Sequence, residues 1–172
     1  MSNESSYACL LAGRGHICAS ISPSLYRAAR DARDMLAKSA PGGALVCTVA
    51  QLRTPLLLQH LQSRTDLISP ALLALAAHDR KKETQYCETL YFYLICSRSL
   101  KRTCDALYTH RNTVLDRIER IREDFGIPLD DPARHTELLL GTGMLLFGAM
   151  GPSFFLRALP QPDSASDAQE ET

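Results

Sequence analysis

Residues 99–126 read SLKRTCDALYTHRNTVLDRIERIREDFG, and they carry the clearest structural signal in the chain. Ser99 supplies the side-chain oxygen of a helix N-cap, which predicts a short helix that turns one face inward, made of Leu100, Thr103, Cys104 and Leu107. Tyr108 forms a turn, and Thr109 is placed to cap a second helix that ends at Gly126, because glycine readily adopts the left-handed conformation that closes helices. The pattern therefore predicts a helix-turn-helix unit, with helices over Leu100–Leu107 and Thr109–Phe125.

The second helix of this unit has one apolar seam. Its apolar residues recur at steps of four, three and four, and they are Val114, Ile118, Ile121 and Phe125. In helix-turn-helix units the second helix offers its N-terminal end to the major groove of DNA. With the seam facing inward, the outward side chains near the helix start are predicted to read bases: His110, Arg111, Asn112, Leu115 and Asp116.

The residue types at the start of the second helix suit base recognition. Arg111 can donate to both guanine acceptors, Asn112 can pair bidentately with adenine, and Leu115 can contact a thymine methyl group. Contacts to phosphate set the register without reading sequence, and the candidates for them are Lys101, Arg102, Thr113 and Arg120. The expected partner is double-stranded DNA.

The local charge predicts that one copy binds DNA weakly. Between residues 97 and 125 there are seven basic and five acidic side chains, an excess of only two. Because the electrostatic affinity scales with the number of phosphates neutralised, a lone copy should bind poorly. Two copies would double the contacts and read two half-sites, so we predict a homodimer.

The flanking sequence predicts further helices on both sides of this unit. Downstream, Asp131-Pro132 supplies a cap and a first-turn proline for a last helix to about Phe147. The apolar run Leu138–Met150 is shorter than the ~20 residues that a membrane-spanning helix needs, so it indicates a core helix or a dimer seam. Upstream, helices are predicted over Pro55–Gln62, Pro70–His78 and about Lys81–Cys96.

The first 50 residues have a different pattern. Tyr7–Ala12 and His16–Ile21 are short apolar runs joined by Gly13-Arg14-Gly15, which favours a β-hairpin. Ser22-Pro23 begins a predicted helix, and the apolar, partly β-branched run Ala44–Ala50 predicts a strand. The expected fold class is mainly α, with a helical helix-turn-helix domain preceded by a small β-β-α-β fragment. The predicted divisions are 1–52, 53–159 and a disordered acidic tail at 160–172.

Composition narrows the class of protein. The 172 residues are 45% hydrophobic and 22% charged, which is typical of a soluble globular protein. The 19 basic and 19 acidic side chains cancel, so no net positive charge attracts the whole chain to a polyanion such as DNA. The six cysteines form no C-x-x-C pair and are expected to be reduced, mostly buried thiols. No secretory signal, metal spacing, nucleotide motif or catalytic constellation is present, so we expect a cytoplasmic protein that is not an enzyme and needs no cofactor.

The run HRNTVLDRIERI (110–121), followed by GIPLDDPARHTELLL (126–140), resembles the C-terminal helix-turn-helix domain of the PucR-like regulators, bacterial activators of purine catabolism and sugar-diacid use. The resemblance covers roughly 60 residues, and the features that carry it include Tyr93-Leu94, the cap at Ser99, Gly126 and Asp131-Pro132. Ser20-Ile21-Ser22 and the segment Leu67–Asp79, leading into Glu88-Thr89-Leu90, look like the end of the degenerate cyclase-like domain that precedes this module in the family.

The resemblance implies a DNA-binding transcription regulator in which an effector-sensing region precedes the module, and it names no effector ligand. Two residues depart from the family pattern: Asp116 stands where an aromatic residue is frequent, and Cys104 replaces a usual alanine. The zero net charge and the acidic side chain of Asp116 are also compatible with an alternative function. In this alternative the chain is a dimerisation or protein-interaction module that derives from such a regulator and does not bind DNA.

Overall fold

The computed structural model describes residues 30, 31, 34 and 49–157 of the chain. Residues 49–157 form seven α-helices and two single-turn 3-10 helices, at Thr65–Leu67 and Pro132–Arg134. The α-helices are α1 (Val49–Leu61), α2 (Pro70–Lys82), α3 (Tyr86–Ile95), α4 (Leu100–Leu107), α5 (Arg111–Glu123), α6 (His135–Met150) and α7 (Pro152–Arg157). No β-strand occurs in these described residues, so the prediction of a mainly α fold is confirmed for them.

The predicted β-β-α-β fragment is not supported. Its two hairpin strands lie outside the described residues, and in its predicted helix residues 30, 31 and 34 are helical. The predicted strand Ala44–Ala50 is wrong at its end, because Val49 and Ala50 belong to α1. A short apolar run suits a buried helix as well as a strand, and α1 continues through Pro55, which was expected to begin the helix.

The predicted long helix over Lys81–Cys96 is divided in the structure. α2 runs on to Lys82, Glu83 adopts the left-handed conformation with φ 54°, and α3 begins at Tyr86. The Asp79 carboxylate holds this break, since it accepts hydrogen bonds from the backbone N–H of Tyr86 (3.0 Å) and of Cys87 (2.8 Å). These are two of the first N–H groups of α3, which have no partner inside the helix.

Contacts divide the chain into two compact units, Arg53–Gly151 and a second that comprises residues 1–52 and 152–172. α7 belongs to the second unit. Within the unit Arg53–Gly151, α3 packs against α2, α4, α5 and α6. A helix surrounded in this way must be apolar on all sides. The buried residues of α3 are Tyr86, Cys87, Thr89, Leu90, Tyr91, Phe92, Tyr93 and Leu94.

Small residues let α6 approach its neighbours closely. A Cβ atom on Gly141 would lie 2.7 Å from Leu72 Cδ1, and one on Gly143 would lie 3.3 Å from Leu58 Cδ2. Gln62 adds a polar contact, because its Nε2 donates to the Met144 carbonyl at 2.9 Å. The predicted apolar helix is therefore part of the core of this unit, and none of the described helices has both the length and the apolar character needed to cross a membrane.

The described cysteines are free thiols: Cys87 and Cys96 are buried, and Cys104 is half-buried, as expected. Burial, reinforced by the Asp79 carboxylate, raises the pKa of the Cys87 thiol far above its usual range. Thiolate is the reactive form of cysteine, so burial keeps Cys87 in its less reactive thiol form in the folded unit. Among the described residues no group of three or more His, Cys, Asp or Glu side chains could hold a metal ion.

Candidate nucleic-acid interface

Ser99 begins α4 as the sequence predicts. Its Oγ accepts from the Arg102 backbone N–H at 3.5 Å, and its carbonyl accepts from the Thr103 hydroxyl at 2.8 Å. Thr103 is fully buried, which fixes the inward face of α4. The other predicted inner residues are half-buried: Leu100, Cys104 and Leu107.

Tyr108 forms the turn between α4 and α5. Its φ is 50°, and its N–H and that of Thr109 donate back to the carbonyls of Asp105 (3.4 Å) and Cys104 (3.1 Å). This pair of bonds is a Schellman motif, with Tyr108 at the position that glycine usually occupies. The prediction that Thr109 caps α5 is wrong. His110 is the N-cap, its side chain makes no capping bond, and the Thr109 hydroxyl donates instead to the Leu107 carbonyl at 3.0 Å.

The predicted seam of α5 is confirmed. Val114, Ile118 and Ile121 are buried, and Phe125 lies just beyond the helix. Phe125 is half-buried and packs edge-on against the rings of His78 and Tyr86, with centroids 5.4 Å and 6.4 Å away. Gly126 ends the segment with φ 62°, the left-handed conformation expected of it. The inward side of α5 is thus held along its whole length.

The opposite side of α5 faces solvent at its start. Every residue predicted to read bases is exposed: His110, Arg111, Asn112, Leu115 and Asp116. The predicted phosphate contacts are exposed too: Lys101, Arg102, Thr113 and Arg120. Both sets of side chains are therefore accessible in the structure, and contact of these residues with DNA stays a prediction. We call residues 110–113, 115 and 116 the tip of α5.

The first backbone N–H groups of α5 have no hydrogen-bond acceptor within the helix. No side chain caps it, and the first helical hydrogen bond is donated by the Val114 N–H to the His110 carbonyl at 3.2 Å. The preceding N–H groups, of residues 111–113, point out of the helix end together with the positive end of the helix dipole. This end of α5 therefore favours an anion such as a backbone phosphate.

Arg117 ties α5 to the central helix. Its guanidinium donates to Thr89 Oγ1 at 3.1 Å and to Gln85 Oε1 at 3.0 Å, at the start of α3. Burial raises the pKa of the neighbouring Glu88 carboxyl, and the Arg117 charge opposes that rise. In the sequence, Arg117 is one of the seven basic side chains between residues 97 and 125. Its place one turn after Val114, beside the seam, was the signal that it faces the protein.

Arg120 is not an unpaired cation. Its Nε lies 3.3 Å from Asp116 Oδ2, one turn back along α5, and both side chains are more than half exposed. The Asp116 carboxylate raises the pKa of the Arg120 guanidinium, and the Tyr86 hydroxyl adds to this effect. Arg120 must therefore exchange an internal partner for any phosphate it contacts.

Beyond its first turn, the exposed surface of α5 carries both signs of charge. Asp116, Glu119 and Glu123 follow at steps of three and four, so they lie on one outward face, and all three are exposed. We call these residues the acidic row. Arg120 and Arg122 are exposed as well, but each is paired with a carboxylate, that of Asp116 and that of Asp130. The acidic row therefore disfavours close approach of a polyanion along this face.

Two short helices at a tight turn, the second with a buried seam and an exposed first turn, define a helix-turn-helix domain. Residues 86–142, from the start of α3 into α6, match the family model described as the PucR C-terminal helix-turn-helix domain. The resemblance is thus confirmed for this segment, which is a PucR-type helix-turn-helix domain and indicates a DNA-binding transcription regulator. The match leaves out Ser20-Ile21-Ser22 and Leu67–Asp79, so the resemblance of those segments to a cyclase-like domain is not shown. Neither a curated protein nor a solved structure matches the chain.

Proposed function

We propose that the chain is a bacterial transcription regulator that reads the DNA major groove with the tip of α5. The observation that carries this proposal is that α5 is buried on one side and exposed on the other. Val114, Ile118 and Ile121 are buried, whereas Arg111 and Asn112 are exposed at the helix start. This is the arrangement in which the second helix of a helix-turn-helix unit enters the groove with its N-terminal residues.

The exposed side chains have separate roles in this proposal. The tip reads base edges, Arg111 with guanine and Asn112 with adenine as the principal pairs. Lys101 and Arg102 on α4, with Thr113 and the uncapped N–H groups of α5, contact the backbone phosphates. Arg120 joins them only when its pairing with Asp116 is broken.

The proposal includes a homodimer working in the cytoplasm. Few cations surround the tip of α5, so a second copy is needed to raise the number of phosphate contacts. Two tips would have to lie about 34 Å apart, one turn of DNA, to enter successive major grooves on one side of the duplex. Size-exclusion chromatography with light scattering, with and without DNA, measures whether two copies assemble.

The test is a binding selection from a random duplex pool, followed by fluorescence anisotropy on the enriched sequence. Arg111→Ala should weaken binding to that sequence about 5- to 150-fold, the loss of one bidentate base contact of about 1–3 kcal/mol. Arg64→Ala is the control, since it removes the same charge from an exposed pair with Asp66 outside the helix-turn-helix. No enrichment from the pool, or equal effects of the two substitutions, would refute base reading by α5.

The acidic row favours a second candidate function, a protein-interaction module that no longer binds DNA. Asp116, Glu119 and Glu123 present three negative charges on the outward face of α5, which suits a basic protein surface better than phosphates. The same selection separates the two candidates. The module would enrich no duplex even at low salt, where electrostatic attraction to DNA is strongest.

A further inference from the structure

Tyr108 occupies a position that disfavours its side chain. It is the left-handed residue of the Schellman motif that ends α4, with φ 50°. In this conformation the Cβ atom of any residue other than glycine crowds the following carbonyl, so glycine is the usual choice. The local structure therefore gains nothing from a tyrosine in the turn.

Packing does not account for Tyr108 either. The residue is 98% exposed, the most exposed large hydrophobic side chain among the described residues. Tyrosine normally contributes to stability by burying its ring and bonding its hydroxyl. In the described part of the chain neither occurs for Tyr108. A side chain that strains the backbone and contributes nothing to packing is a candidate for a functional role.

The position of Tyr108 suggests what that function is. Tyr108 lies three positions before Arg111, so their Cα atoms are at most about 11 Å apart. The major groove is about 12 Å wide. With the tip of α5 inside the groove, the turn would lie near the groove wall, which is lined by phosphates. A tyrosine hydroxyl is among the groups that commonly donate hydrogen bonds to phosphate oxygens.

We infer that Tyr108 contacts DNA, donating its phenolic hydroxyl to a backbone phosphate at the edge of the groove that α5 enters. The inference rests on the proposed function and adds a neutral contact from the turn itself. It also explains why the turn carries an exposed aromatic residue rather than glycine.

Three variants test this inference by anisotropy on the enriched duplex between 50 and 200 mM salt, with thermal melting of each protein. Tyr108→Phe should lose about 12- to 150-fold in affinity, the effect of one hydrogen bond to a charged acceptor, with no change in melting temperature. Tyr108→Gly should lose at least as much affinity, yet melt at a higher temperature because the strained Cβ is gone. Since the phenol is neutral, both variants should keep the wild-type slope of log affinity against log salt.

Ser97→Gly is the matched control. Ser97 has φ 55° at the corner between α3 and α4 and is exposed, so glycine should raise the melting temperature there as well, with DNA affinity unchanged. Wild-type affinity in Tyr108→Phe and Tyr108→Gly, alongside weakened binding by Arg111→Ala, would overturn the role of Tyr108 alone. A native chain that binds no duplex would instead overturn the proposed function, and the inference with it.

Discussion

Asp116→Asn should strengthen DNA binding. Asp116 lies one helical turn after Asn112, which puts their Cβ atoms about 6 Å apart on the same face of α5. If Asn112 contacts a base, the Asp116 carboxylate is close to the backbone phosphates and repels them. The same carboxylate holds Arg120, with 3.3 Å between Nε and Oδ2. The substitution therefore removes a repulsion and releases a cation.

The size of the effect follows from counting exposed cations near the tip. Lys101 and Arg102, the exposed cations assigned to phosphates, give about two phosphate contacts per copy, hence a slope of log affinity against log salt of about −1.8. A released Arg120 would make about three contacts and a slope of about −2.7. Over the fourfold range from 50 to 200 mM salt, the advantage of Asp116→Asn over wild type should fall by about 3.5-fold.

Anisotropy titrations of both proteins at several salt concentrations measure this slope. Glu123→Gln is the control, because Glu123 belongs to the acidic row but lies about 10 Å further along α5 than Asp116, where salt screens its charge. Arg120→Gln should change binding little in the wild type and substantially in the Asp116→Asn background. Equal affinities and slopes for wild type and Asp116→Asn would show that this face of α5 does not approach DNA.

Two further predictions concern the framework that holds α5. Arg117→Met should lower the free energy of unfolding by about 1–2 kcal/mol, seen as a melting temperature roughly 2–6 °C lower. It should also weaken DNA binding, because α5 loses its hydrogen bonds to α3. Arg122→Gln is the control, since it breaks only an exposed ion pair and should change neither the melting temperature nor DNA binding. Gly141→Ala should destabilise the fold by about 1 kcal/mol in chemical denaturation, since its Cβ would meet the fully buried Leu72 and overpacking outweighs the gain in helix propensity. Gly148→Ala, at an exposed position, is the control and should be neutral or stabilising. If Gly141→Ala were as stable as the wild type, Leu72 would be able to move aside at the α2–α6 contact, which would contradict this prediction.

The helix-turn-helix could be predicted because its signals are local. The Ser99 cap, the seam on α5 and the Gly126 terminator each depend on residues within one or two helical turns, and the structure confirms all three. The α4–α5 turn was also located correctly. Its left-handed residue is a tyrosine rather than glycine, so nothing in the sequence distinguished Tyr108 from an ordinary turn residue.

Features that depend on distant contacts could not be predicted. The break between α2 and α3 is held by the Asp79 carboxylate reaching seven and eight residues ahead, outside any helical repeat. The Val49–Leu61 helix begins in an apolar run that composition alone assigns equally well to a strand. Arg117 finds its partners 28 and 32 residues away in sequence, so its place beside the seam indicates that it faces the protein, but only the packed structure shows which groups it binds.

The acidic row bears on how the proposed regulator could reach specificity. It disfavours DNA contact beyond the first turn of α5, where Arg111, Asn112 and Leu115 are the side chains best suited to bases. At about 1–3 kcal/mol for each good base contact, three such contacts would let one copy discriminate by about 3–9 kcal/mol. Specific sites are typically bound about 4–10 kcal/mol more tightly than random DNA. One tip could therefore reach most of that range, and the small number of cations near the tip, rather than base discrimination, is what favours the proposed homodimer.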